Sequence, residues 1–132
     1  MMGNELLVQD MIRTSRELLA ACDALDLAGR DKAMTEDRYR YAKSVAMVRL
    51  AGTLKNAAER EANVHLARVE DVDGDPVTVG DLRFRRDLAE ASAASAMERV
   101  RSLRGILSGF QTQANALREE LRLTNSGPGM EP

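Results

Sequence analysis

The stretch from Ala89 to Leu121 limits this chain more than any other. Ala89, Ala93, Ala96, Val100, Leu103, Leu107, Phe110, Ala114, Leu117 and Leu121 recur at spacings of four and three without a miss. That spacing winds them onto one stripe of an α-helix shaped to lie against another helix. The first third of the stripe is alanine and the rest is mostly large, so a partner comes close at one end and meets bulkier side chains at the other. Arg, Glu, Ser and Gln fill most of the remaining positions, as on a solvated face. Gly105 and Gly109 each weaken such a helix by about 1 kcal/mol relative to Ala. Val100, Leu103, Leu107, Phe110, Leu117 and Leu121 are therefore expected to form a packing or oligomer seam.

The composition supports thin layers between helices. Of 132 residues only Tyr39, Tyr41, Phe84 and Phe110 carry aromatic rings, and there is no Trp. A core of Leu, Val, Met and Ala suits elongated helices that self-associate better than a globule. The net charge of −2 names no partner, but the cations are 16 Arg against 3 Lys. Arg is the better fork for phosphates and stacks on flat rings. The single cysteine, Cys22, forbids an intrachain disulfide and fits a reducing compartment. No start-proximal apolar core resembles a signal peptide, and no run approaches the ~20 apolar residues of a membrane span. The expectation is a cytoplasmic protein that does not engage a membrane.

Three helices are predicted, at about 4–26, 31–69 and 80–123, in one elongated all-α domain over 1–123 with a disordered tail at 124–132. In the first helix Leu7, Met11, Leu18 and Leu25 share a stripe with Thr14 and Ala21. Val8, Ile12, Leu19 and Cys22 widen it, a breadth that suits two neighbours. Gly29 marks a modest break. The second helix starts its stripe at Met34, Tyr41, Val45 and Val48, which makes Tyr41 a core residue. Its phase slips around Gly52, where the helix either bends or breaks, with Thr53 placed to cap a restarted segment. In the turn 70–80, Asp73-Gly74 favours reversal, Pro76 stops a helix and Val77-Thr78-Val79 favours extended backbone. A short hairpin of 67–72 against 77–82 fits this segment. Thr78 and Asp81 form a capping box for the third helix. The second and third helices make a long antiparallel hairpin with the shorter N-terminal helix laid against it.

Catalytic constellations are scarce. His65 has Glu61 one turn earlier, but two ligands on a helix make no metal site alone. Asp71, Asp73 and Asp75 alternate like a calcium loop, yet Pro76 and Leu82 occupy the places where that loop needs Gly and Glu. No phosphate-cradling glycine loop and no nucleophilic triad is present. The chain is read as a non-enzyme without cofactor or metal. A metal-dependent enzyme built on His65 and nearby acids is the minority alternative.

Two runs interleave cations with rings: Arg38-Tyr39-Arg40-Tyr41-Ala42-Lys43 and Arg83-Phe84-Arg85-Arg86. Single-stranded nucleic acid is bound by this combination, cations following phosphates while rings stack on bases. Arg38, Tyr39, Arg40, Lys43, Arg83, Phe84, Arg85 and Arg86 are therefore the candidate nucleic-acid-binding residues. The competing reading packs Phe84 at the hairpin end and leaves its Arg neighbours as a solvated face. With the reversal near residue 75, Arg83 lies beside residue 67 and Arg40 about 40 Å further along. One compact site within one chain then cannot use both runs. Either a groove follows the helices through Arg49, Arg60, Arg68, Arg99, Arg101 and Arg104, or neighbouring subunits join the runs. The acidic turn (Glu70, Asp71, Asp73, Asp75, Asp81) repels phosphate and suits a basic protein.

Tyr41-Ala42-Lys43, Leu50-Ala-Gly-Thr, Glu59-Arg60-Glu61-Ala62, Arg101-Ser-Leu-Arg104, Phe110-Gln111 and Arg118-Glu119 together resemble a group of small helical bacteriophage proteins. In length and helix order the chain is more distantly similar to the UvsY-type recombination mediators. The resemblance covers about Arg38 to Leu121. It implies a homo-oligomer that binds single-stranded DNA and helps load a recombinase while single-strand-binding protein is displaced. Because the chain is near neutral, such binding needs oligomerisation to gather arginines on one rim. The alternative function is a structural or adaptor protein that contacts other proteins and no nucleic acid.

Overall fold

The computed structural model describes residues 2–125, with side chains from Asn4 onward. The chain is all-α with one small hairpin: α1 Met2–Ala51, α2 Ala57–Asn63, a 3-10 turn Val64–Leu66, β1 Arg68–Glu70, β2 Pro76–Thr78 and α3 Val79–Asn125. The long helices α1 and α3 pack against each other. The chain divides into two compact units, one pairing the segment up to Ala24 with the chain from Ala96 onward, the other Leu25–Ser95. Each long helix contributes a segment to each unit. No described helix is long and apolar enough to cross a membrane.

The stripe of α3 is used as its spacing implies. Ala89, Val100 and Leu103 are buried, and Ala93, Ala96, Leu107, Phe110, Ala114 and Leu117 are half-buried. Leu121, at the end, is 41% exposed. In the first unit Leu7, Thr14 and Ala21 of α1 and Val100 and Leu103 of α3 are the most buried side chains. Leu117 and Leu121 line a hollow of about 270 Å³ together with Leu7 and Met11. The seam residues thus lie on the side of α3 that meets α1 of the same chain.

The first helix does not stop near Asp26. It runs through Gly29 to Ala51 as one helix. The frame begun at Leu7, Met11, Thr14, Leu18, Ala21 and Leu25 carries on as Ala28, Lys32, Thr35, Tyr39, Ala42 and Ala46. Gly29 lies off this seam and nothing stands within 4 Å of where its Cβ would be, so no packing is lost there. Lys32 and Thr35 occupy seam positions with polar side chains, which hides the continuity from a count of apolar residues.

The expected helix over 31–69 instead ends at Ala51. Gly52 N–H donates to the Arg49 carbonyl and Thr53 N–H to the Leu50 carbonyl, tightening the last turn before the chain leaves it. Asn56, and not Thr53, caps the restart, its side-chain oxygen accepting from Ala58 N–H at 2.9 Å. Thr53 spends its hydroxyl on the Leu50 carbonyl. Arg60 Nη1 closes the loop from beneath by donating to the Leu54 and Lys55 carbonyls. Val64, buried completely, then draws the chain into the second core beside Tyr39, Ala42, Ala46, Val79 and Leu82. A helix continued to residue 69 would forgo the pairing of β1 with β2.

The hairpin is shorter than 67–72 against 77–82. Arg68 faces Thr78, Val69 faces Val77 and Glu70 faces Pro76 in antiparallel register. Gly74 makes the reversal at φ +84°, a backbone that a side chain resists. Thr78 and Asp81 exchange the reciprocal bonds of a capping box, each 3.0 Å. Helix α3 continues through Thr124 and Asn125, and the rest of the expected tail, 126–132, lies outside the described residues.

Candidate nucleic-acid interface

Both basic–aromatic runs fall within the second unit, and the structure brings them together. Because α1, not a helix over 31–69, lies against α3, residue 86 meets residues 36 and 39. The Arg86 guanidinium sits 4.5 Å above the ring of Tyr39, and its Nε is 3.5 Å from Glu36 Oε2. The predicted separation of about 40 Å rests on a reversal at residue 75. The actual return is spread over residues 52–78, so that separation does not hold.

The two tyrosines exchange roles. Tyr39 is 6% exposed and belongs to the core, whereas Tyr41 is 73% exposed. A stacking role for Tyr39 is therefore corrected: its face is covered by Arg86 and its body by the cluster around Val64. The signal lies in the sequence. Counting in sevens from Met11 gives Leu18, Leu25, Lys32, Tyr39 and Ala46, which puts Tyr39 on the seam. Phe84, 63% exposed, does not pack at the hairpin end and presents its ring to solvent.

Tyr39 Oη and His65 Nε2 are 2.9 Å apart, with their rings nearly parallel at 14° and 6.0 Å between centroids. His65 is half-buried. Burial holds its pKa below the ordinary value, and the cations of Arg83, Lys43 and Arg86 act in the same direction against the opposing pull of Glu61. Protonated imidazole is thus disfavoured where three cations already gather. The Glu61–His65 pair finds no third ligand, and no group of three or more metal-capable side chains occurs among the described residues.

The other candidates separate by what already holds them. Arg40 bonds Glu36 Oε1 at 2.7 Å. Lys43 reaches Glu61 only at 4.0 Å. Arg85 donates to Asp71 Oδ2 at 2.6 Å, which holds the Asp71 carboxyl below the usual carboxylate range with help from the Val72 N–H. Arg86 is shared among Glu36, Asp87 and Glu90. Arg38 and Arg83 form no ion pair among the described residues, and Arg38 lines a recess with Arg85, Asp31 and Leu88. The acidic turn is partly spent internally: Asp71 on Arg85, Asp73 on the Asp75 N–H and Asp81 on the helix cap.

A larger groove opens beside these residues. Tyr41, Ala42, Val45 and Arg49 of α1 form one wall, and Arg68, Val69, Glu70 and Pro76 of the hairpin form the other, around about 540 Å³. Arg49 and Arg68 are among the arginines expected along a groove following the helices, but this groove lies between α1 and the hairpin and takes in none of Arg60, Arg99, Arg101 and Arg104. The sequence assigns Tyr41 to the core and Glu70 to the acidic turn, and their sharing one groove escapes it, since only the loop at 52–56 and the turn-back through α2 bring β1 to this side of α1.

On the first unit, Val8, Ile12 and Leu19 remain 53%, 48% and 69% exposed on a flank of α1 beside the seam. Comparison with known proteins finds no family model, curated protein or solved structure that matches this chain.

Proposed function

We propose that this protein binds single-stranded DNA and acts, as a homo-oligomer without catalytic activity of its own, as a phage-type mediator of recombination or repair. The reading is carried by one observation: residues of two basic–aromatic runs far apart in sequence stand beside each other across α1 and α3. Arg38 and Arg83 supply cations without an internal acid partner among the described residues. Phe84 and Tyr41 supply the exposed rings that base stacking requires. Arg85 and Arg86 set the geometry from within, one holding the turn through Asp71 and the other covering Tyr39. In this role the protein would hold the strand for a recombinase as single-strand-binding protein leaves.

The test is fluorescence anisotropy with a labelled single-stranded oligonucleotide over a range of salt concentrations. The logarithm of the affinity should fall linearly with log salt, by about 0.7 per phosphate contact. Arg38→Ala and Arg83→Ala should each weaken binding and flatten that slope by roughly one contact. No binding at low salt overturns the reading.

A second reading has its own observation. The open apolar flank of Val8, Ile12 and Leu19 is what an adaptor would use against another helix, and such a protein needs no nucleic acid. Unaltered self-association and partner binding in Leu19→Asp would count against it.

A further inference from the structure

The groove between α1 and the hairpin has the composition of a nucleotide site. We propose that it receives one base of the single strand, stacked on Tyr41, with the adjoining phosphates held by Arg49 and Arg68. The inference rests on the single-strand reading above and assigns it a specific pocket.

Three features support this occupant. The first is size: about 540 Å³ lies within the range of small-ligand sites, which runs roughly from 300 to 1,000 Å³. The second is the order of the residues. Tyr41, Val45 and Arg49 follow one another at intervals of four along one face of α1, so a ring, an apolar floor and a cation succeed each other over two helical turns. Across the groove, Arg68 and Glu70 stand two residues apart on β1, on the same side of that strand. The third is availability. Tyr41 is 73% exposed, and neither Arg49 nor Arg68 forms an ion pair among the described residues. Two unneutralised cations flanking an open ring fit a nucleotide better than they fit an apolar peptide.

Glu70 gives the pocket a preference. A carboxylate repels phosphate but accepts N–H bonds, and guanine offers two neighbouring donors on its Watson–Crick edge where thymine offers one. The pocket should therefore favour guanine over thymine.

The experiment measures binding of the full chain to labelled oligo(dG)-containing and oligo(dT) strands of equal length, with circular dichroism confirming each variant's fold. Tyr41→Ala should weaken binding by roughly five- to hundredfold, the range that loss of one stacked base carries, and Tyr41→Phe should restore it. Arg68→Ala should flatten the salt slope, and Glu70→Gln should narrow the guanine-over-thymine ratio. If the wild type binds but Tyr41→Ala and Arg68→Ala bind equally well, while Arg83→Ala weakens binding, the pocket is overturned and the broader reading stands. If the wild type binds neither strand at low salt, both fall.

Discussion

At the scale of single residues, Tyr39 and His65 decide how the second core responds to acid. Their shared hydrogen bond joins α1 to the 3-10 turn. Tyr39→Phe should cost about 1 kcal/mol in chemical unfolding, the usual net worth of such a bond. His65 has its folded-state pKa below 6.5, so the unfolded chain takes up the proton first. The stability this preserves is complete above about pH 6.5 and is lost as pH falls below it. Urea midpoints compared at pH 7.5 and 5.5 should show that loss, and His65→Gln should abolish the difference in that window. A separate decline belongs to Asp71 and Asp81. Both carboxyls are held below 3.8, by Arg85 and by the Thr78 cap respectively. Their contribution persists above that pH and disappears in stronger acid. Arg86 stabilises by covering Tyr39, and Arg86→Met should lower stability by about 1 kcal/mol through the lost cation–π contact.

At the scale of elements, the glycines separate two kinds of position. Gly29, Gly105 and Gly109 sit in long helices with nothing within 4 Å of the place a methyl group would take. Each Gly→Ala change there should raise stability by about 0.5–1 kcal/mol, read from thermal or urea midpoints. For Gly29 this is also a test of continuity, since a loop at that point would gain no helix propensity. Gly80 is the opposite case: a Cβ would meet the His65 carbonyl oxygen at 3.0 Å. Gly80→Ala should destabilise, because both residues belong to backbone that the capping box and the 3-10 turn hold in place. The stripe of α3 and the cap at Thr78 are legible in the sequence because their spacing is local and unbroken. The continuity of α1 is not, because Lys32 and Thr35 take polar side chains through two seam positions. Reading a new stripe from Met34 then inverts Tyr39 and Tyr41. The candidate site is legible as two runs of cations and rings. Their meeting is not, because it depends on which helix lies beside α3, a long-range pairing that no local spacing states and that places Val64 and Val79 in one core with Tyr39.

At the scale of the whole molecule, the seam of α3 faces α1, so the self-association proposed above would have to use other surfaces. The flank of Val8, Ile12 and Leu19 is an exposed apolar stripe beside that seam on α1. Leu19→Asp should reduce the solution mass measured by light scattering if the protein associates through this flank, while leaving the circular dichroism spectrum unchanged. Single-strand binding that requires gathered arginines should weaken in the same variant, since several weak contacts on one strand multiply when subunits stay together.

The unbroken frame of α1 has a consequence for chain length. Adding or deleting one residue between Leu7 and Ala21, or between Tyr39 and Ala46, turns the seam positions that follow by about 100°. Thr14 and Ala21 would leave the first core, or Ala42 and Ala46 the second, and solvent-facing neighbours would swing in. Seven residues nearly restore the rotation but slide the packed face by about 10 Å, so only matched seven-residue changes in both helices would be absorbed. Length variants should therefore survive at the tip of the hairpin, around Val72 and Asp73, and fail within either of those spans of α1.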